Sequence, residues 1–212
     1  MTNYNIIGKS TPLISSKDKV TGKALYTDDV QLSNPLFAKI LRSPFASARI
    51  KKIDLSKAIG LAGVEAVVSG NDFKNTFGVL PISKDEVVLA KDVVRYVGEG
   101  VAAVAAISQD IAAEAISLIE VEYEYLVPCL DSKDALKKSD NLIHPELGFE
   151  TNIHKTVIQK FGDPDKGFKE ATTVVKGEIS FLPLRHGVTE PHATQVAIDD
   201  NVPEKDCADA LN

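Results

Sequence analysis

Tryptophan is absent, cysteine occurs twice, and aromatic residues make up only 6% of the 212-residue chain. So few rings weaken any reading as a carbohydrate platform or a base-stacking surface. Cys129 and Cys207 lie far apart. A disulfide framework is therefore not expected, and no Cys-x-x-Cys pair exists for zinc or an iron–sulfur cluster. Positive charge is also short: 24 Lys and Arg stand against 30 Asp and Glu, a net charge of -6. A nucleic-acid binder needs a basic face to displace phosphate counterions, and an anionic membrane surface selects the same sign. Neither partner is expected. The longest apolar run, Val101 to Ile107, falls far short of the ~20 residues of a spanning helix. The N-terminus, MTNYNIIGKS, has no charged-then-apolar signal pattern. The expected location is the cytoplasm.

What remains is ordinary globular material, with 44% hydrophobic and 25% charged residues. At ~150 residues per domain the length allows one to two domains with a real core. Residues 1–19 are polar and read as an extended lead-in, and Val20 to Asp29 as a turn feeding a short strand. Leu36–Leu41, Arg49–Leu55 and Val64–Val68 read as strands. A short helix, Lys57–Leu61 with Ser56 as its cap, stands between the last two. Ser69-Gly70-Asn71-Asp72 is a turn cluster. Val87–Ala90 and Val93–Val97 are strand-like, and Gly98 and Gly100 bracket a tight turn. Val101–Ile107 is short and apolar on both faces, the mark of a buried central strand. Ser108 caps the clearest helix, whose stripe is Ile111, Ala112, Ala115, Ile116 and Ile119. The period then switches to two. Ile119, Val121, Tyr123 and Tyr125 alternate with Glu120, Glu122 and Glu124, a strand with one wet face. Residues 20–127 are thus an α+β domain.

Residues 128–155 read as a polar linker around a short helix. A second unit opens with a strand at Thr156–Phe161. Asp163 then caps a helix with Pro164 at its first position and Phe168 and Ala171 on its buried face. Thr172–Phe181 and Thr194–Ile198 read as further strands. Residues 201–212 show no alternation. So few strands leave edges uncovered, and the second unit, 156–200, reads as incomplete.

The most suggestive polar group is Arg185-His186-Gly187-Val188-Thr189-Glu190-Pro191-His192. A metal site would use His186, Glu190 and His192; their spacing is not that of a helical pair, and Pro191 breaks a helix. General acid–base work would pair Glu190 with His192. The third alternative is a structured polar loop, which spacing alone favours. Glu120, Glu122 and Glu124 read as a solvated face rather than a cation site. Gly98-Glu99-Gly100 lacks phosphate-loop spacing and reads as a turn. Cys129 reads as packed rather than nucleophilic, and Cys207 as an exposed thiol. No catalytic, cofactor-binding or metal residue is assigned.

Several stretches, in order, resemble the large subunits of molybdenum hydroxylases. They are Lys19-Val20-Thr21-Gly22-Lys23-Ala24-Leu25-Tyr26-Thr27-Asp28-Asp29 and Leu41-Arg42-Ser43-Pro44-Phe45-Ala46-Ser47-Ala48-Arg49-Ile50. In the second the family often has His where Phe45 or Ser47 stands. Gly63–Val68, Val94-Arg95-Tyr96-Val97-Gly98-Glu99-Gly100-Val101-Ala102, Phe161-Gly162-Asp163 and His186 through Ala193 continue the match to about residue 200. Ile153-His154-Lys155-Thr156 looks closest to the hydroxybenzoyl-CoA reductase and bacterial xanthine dehydrogenase branch. The resemblance implies an α/β hammerhead domain at 20–127 and the start of a molybdopterin-binding domain at 156–200.

The resemblance also implies a molybdenum–pterin cofactor in the full-length family, with FAD and iron–sulfur clusters on partner domains or subunits. None is expected on this chain alone. The family's Gln-containing cofactor loop, its Gly-Gly-Phe-Gly-Gly segment and its catalytic Glu match no residue here. The tail after Asn201 leaves the family pattern, and a truncated or frame-shifted product is the simplest expectation. The implied role is a structural, subunit-contacting part of an oxidoreductase, with the rest of the molybdopterin subunit and the iron–sulfur and FAD subunits as partners. A non-catalytic assembly or dimerisation module, with self-association, is the alternative. A small metal hydrolase on His186, Glu190 and His192 is a third.

Overall fold

A computed structural model describes residues 4–78, 85–137, 141–148, 150–182, 184–190 and 192–197. The chain divides into two compact units: one is Asn34–Val174, and the other joins the residues before it to those after it. That other unit holds α1 (Ser16–Val20) and a single 3₁₀ turn at Thr27–Asp29. The larger unit holds β1 (Phe37–Arg42), β2 (Ala48–Asp54), α2 (Ser56–Ile59), β3 (Val64–Ser69), β4 (Val93–Val94), β5 (Gly100–Ala106), α3 (Gln109–Ser117) and β6 (Glu120–Tyr125). The short helices α4 (Ser132–Ala135) and α5 (Pro164–Glu170) follow.

Two three-stranded antiparallel sheets form, in the orders β1-β5-β3 and β4-β2-β6. The run Val101–Ala106 is central because both its faces are covered. Ala102 and Val104 pack with Ala58, Ala115 and Ile119. Val101, one residue out of phase, packs with Ala48, Ala90 and Val94. Ile53 and Val121 of the second sheet border both clusters. A strand buried on two sides shows a continuous apolar run instead of alternation. Small residues let α3 lie close, since Ala112 and Ala115 are fully buried. Ser108 accepts the Ile111 N–H at 3.2 Å and starts that helix where the sequence places it.

The turn after β3 is a packing joint as well as a cap. Asp72 accepts the Ser69 N–H at 2.7 Å. A Cβ on Gly70 would lie 2.5 Å from the Ala90 carbonyl oxygen, so the two segments touch only because Gly70 has no side chain.

Several expected elements differ. Residues 16–20 form one helical turn rather than extended chain, and Val20–Asp29 leads into a 3₁₀ turn rather than a strand. Ser56 is the first residue of α2 rather than its cap: Leu55 holds the cap position, and the Asp54 carboxylate accepts the N–H and hydroxyl of Ser56 at 3.0 and 2.6 Å. Val87–Ala90 is not a strand, although Ala90 gives one ladder-like bond, 2.8 Å, to the Gly100 carbonyl. Val93–Val97 shortens to two residues because the Glu99 carboxylate takes the Arg95 N–H at 2.5 Å and ends the pairing.

The described residues of Thr156–Phe161, Thr172–Phe181 and Thr194–Ile198 form no strand, and Ile198 lies outside the described residues. Among the described residues no neighbouring strand meets their N–H and C=O groups, and strand pattern without a partner does not make a strand. The helix in that stretch does form, with Asp163 accepting the Lys166 N–H at 3.0 Å and Pro164 at its first position. Phe168 and Ala171, expected on a buried face, are exposed. Among the described residues no helix is long and apolar enough to cross a membrane.

Candidate functional site

The polar groups that converge in the larger unit surround Arg95. Local structure places it: β4 ends at Val94, and Glu99, only 8% exposed, fixes the Arg95 N–H. The turn between them needs Gly98 at φ +94°. Gly98 donates to the Ser43 carbonyl and Ser43 to the Glu99 carbonyl, each at 2.8 Å. Arg42 Nη1 reaches the Gly98 carbonyl at 2.8 Å. Ser43 is buried, and its hydroxyl accepts the Phe45 N–H at 3.0 Å. Burial raises the Tyr123 phenol above its ordinary range, and a hydrogen bond with Ser43 offsets part of that. Phe45 meets Tyr123 edge-on at 5.1 Å. Gly98-Glu99-Gly100 is therefore a packed turn, with the Gly98 and Glu99 N–H groups bonded to the Ser43 and Tyr96 carbonyls.

The Arg95 guanidinium points to the connector after β6. There Pro145–Leu147 forms a 3₁₀ turn. Nη2 of Arg95 lies 2.7 Å from Glu146 Oε1, and Nε lies 3.0 Å from the Ile143 carbonyl. His144 Nδ1 sits 2.9 Å from the same Glu146 oxygen. Asn152 accepts the Ile143 N–H at 2.7 Å and donates to the Asn141 carbonyl at 3.0 Å. A cavity of about 300 Å³ lies alongside, with Asp85, His144, Thr151, Asn152 and His154 as its polar wall and Ile143 and Leu147 as its apolar wall. Burial alone would raise the Glu146 carboxyl. The His144 hydrogen bond, backbone hydrogen bonding and the Arg95 charge outweigh it and hold the group below its ordinary range.

The other sequence candidates are placed differently. His186, Glu190 and His192 are all exposed. Among the described residues no three His, Cys, Asp or Glu side chains come together as a metal site. Pro191 and Cys207 lie outside the described residues. Cys129 is half-buried, with Sγ 4.0 Å from the Asp131 carbonyl. The acids of β6 face basic partners: Glu124 meets Lys51 at 2.9 Å and Arg49 at 3.5 Å across the sheet, and Glu120 meets Lys57 of α2. Glu122 stands opposite Lys52 in the register. That is a solvated, paired face.

Three carboxylates are held below their ordinary range: Asp54 by Ser56, Glu124 chiefly by Lys51, and Glu146 as above. Each binds its proton less readily in the folded chain than in the unfolded one. Their contribution is full above the ordinary carboxylate range and is lost as pH falls through the lower folded values. We expect the melting temperature to stay level between about pH 7 and 5 and to fall below about pH 4. A melting temperature that rises on acidification contradicts these pairings.

Glu146, His144 and Asn152 carry no motif, and Arg95 stands in a family-like stretch that says nothing of its partners, so the sequence alone does not bring the four together. The Arg95 and Glu146 contact spans 51 positions. The one local signal is His144-Pro145-Glu146, where proline orders an otherwise plain polar connector. In the other unit Gln195 is equally unannounced. Its amide donates to the Thr27 and Val30 carbonyls at 2.7 and 2.8 Å.

Residues 21–127 match the family model described as aldehyde oxidase and xanthine dehydrogenase, a/b hammerhead domain. The chain is 37% identical over 193 residues to the nicotinate dehydrogenase large molybdopterin subunit of Eubacterium barkeri, covering 90% of this chain and 44% of that one. It is 30% identical over 191 residues to the xanthine dehydrogenase/oxidase of Felis catus, covering 90% of this chain and 13% of that one. Among solved structures, a Cu,Mo-CO dehydrogenase in its carbon monoxide reduced state aligns with a TM-score of 0.58 at 34% identity. That alignment covers 66% of this chain and 18% of the other. The chain thus spans less than half the length of these relatives.

Proposed function

The chain belongs to the aldehyde oxidase and xanthine dehydrogenase hammerhead family, and from that premise we propose that it serves as the N-terminal scaffold of the catalytic subunit of a molybdenum-dependent hydroxylase or dehydrogenase. The match over residues 21–127 carries this reading. The enzyme would be of the xanthine dehydrogenase or hydroxybenzoyl-CoA reductase type. The hammerhead would occupy 20–127, a linker 128–155, and the start of the molybdopterin-binding domain 156–200. Its role is to build a rigid body and offer contact surface, without turnover of its own.

In such an enzyme a molybdenum–pterin cofactor supplies the redox chemistry, with FAD and iron–sulfur clusters on partner domains or subunits. The described residues of this chain do not fit that cofactor. A phosphate-bearing pterin needs converging N–H donors and unspent cations. The cavity beside Arg95 instead presents Asp85, and the Arg95 guanidinium is committed to protein acceptors. Two cysteines are too few for a four-thiolate cluster. No catalytic step is assigned to this chain.

The apolar residues that water would otherwise wet support the contact role. Val175, Ile179, Phe181 and Leu184 of the second unit are nearly bare, Leu184 at 91% exposure. Such side chains mark an interaction surface. The rest of the molybdopterin subunit is the partner this reading favours. The same exposure favours self-association when that partner is missing. Static light scattering over a concentration series should show a mass that rises above one chain. A strictly monomeric chain at every concentration counts against self-association through these side chains and against the assembly or dimerisation module.

A further inference from the structure

The forked side chain of Arg95 holds the connector after β6 against the turn after β4. Arg95 Nη1 donates to the Val93 carbonyl at 3.3 Å, which braces the guanidinium on its own strand. Nε and Nη2 then reach across to the Ile143 carbonyl at 3.0 Å and Glu146 at 2.7 Å. A rigid planar fork suits acceptors set apart in this way, and an ammonium does not. The Arg95 side chain is 19% exposed, whereas Glu146 is 49% exposed. The joint is therefore anchored on the hammerhead side and wet on the connector side. Within the connector, Asn152 ties Ile143 to Asn141, and the Leu147 N–H bonds the His144 carbonyl at 3.3 Å. These bonds order residues 141–147 on the path that Arg95 grips, and they are the protection that loosens when the grip is lost. Ile143, His144 and Leu147 of that segment also wall the cavity, facing Asp85.

We propose that Arg95 is a clamp that sets the path of the connector, and that its release lifts residues 141–148 and opens the cavity without unfolding the sheets. Arg95 is a positioning residue in this role. Connector and hammerhead then exchange between a closed and an open state, and the Arg95 fork sets the balance. Local opening of this kind draws on far less free energy than global unfolding.

Amide hydrogen exchange on the full chain tests the clamp. The reporters are the Ile143, Leu147 and Gly148 amides, each bonded within the connector, with the β5 amides as the reference for global opening. In Arg95→Ala the connector amides should exchange about tenfold faster, the loss of one charge-assisted contact, while β5 amides keep their rate. Glu146→Gln should accelerate the same amides by less, because a neutral acceptor remains. Arg95→Lys should restore the rate only in part. Unchanged connector amides in both Arg95→Ala and Glu146→Gln overturn the proposal. So does an equal acceleration in β5, which makes Arg95 a residue of general stability. If Arg95→Ala does not fold, Glu146→Gln decides alone, since it leaves the turn after β4 intact.

Discussion

A Val104→Asp chain loses its cooperative thermal transition. Val104 is 1% exposed at the middle of β5, between Lys39 of β1 and Val67 of β3. Its side chain packs with Ala58, Ala102, Ala115 and Ile119. That cluster is apolar, so a carboxylate placed in it is unpaired. Burying one costs several kcal/mol, against a total domain stability of about 5–15 kcal/mol. The control is Val104→Ala, which removes two methyl groups and leaves a small cavity. It should cost about 2 kcal/mol and lower the melting temperature by roughly 10 °C while keeping the transition cooperative. Far-UV circular dichroism melts read both. A Val104→Asp melt like that of the parent chain contradicts the placement of β5 as the strand covered on both faces.

The parts of the fold legible in the sequence are those whose cause is local. Val101–Ile107 announces burial on both faces by its unbroken apolar run, and the structure gives Val101–Ala106 a strand on each side, while Ile107 falls past the strand and is exposed. Ser108 and Asp163 announce helix starts because a short polar side chain must meet free N–H groups, and both do. The alternation of Glu120–Tyr125 is likewise a local pattern with a local result. What is not legible depends on partners distant in space or contacts outside any propensity. The continuation of β4 fails at Arg95 because the Glu99 side chain competes for its N–H. Thr172–Phe181 has strand-like residues and no strand beside it among the described residues. Gly70 reads as a turn residue, but its tightest constraint is the Ala90 carbonyl 2.5 Å from where a Cβ would stand.

The candidate site shows the same division. His186, Glu190 and His192 stand out in the sequence because their residue types are rare and close together. The structure leaves them exposed and apart from any metal-like cluster among the described residues. Arg95 and Glu146 are common residue types in plain surroundings, and only the path of the connector brings them together. Residue type is a weak guide where the chemistry is structural, because any charged pair brought close enough will bond.

The other large effect is expected in solution chemistry. Catalysis in this family's manner needs a bound cofactor held against the substrate by fixed donors and a base. The described residues offer a paired acidic face, a committed arginine and exposed His186 and His192 instead. If the proposed scaffold role holds, the purified chain carries no molybdenum and oxidises neither nicotinate nor xanthine with an electron-accepting dye. Elemental and pterin analysis, run beside that dye-linked assay on the same preparation, is the most direct measurement of the scaffold role. A scaffold gives molybdenum and pterin at background and no dye reduction above the protein-free control. Stoichiometric molybdenum and pterin with turnover contradicts it.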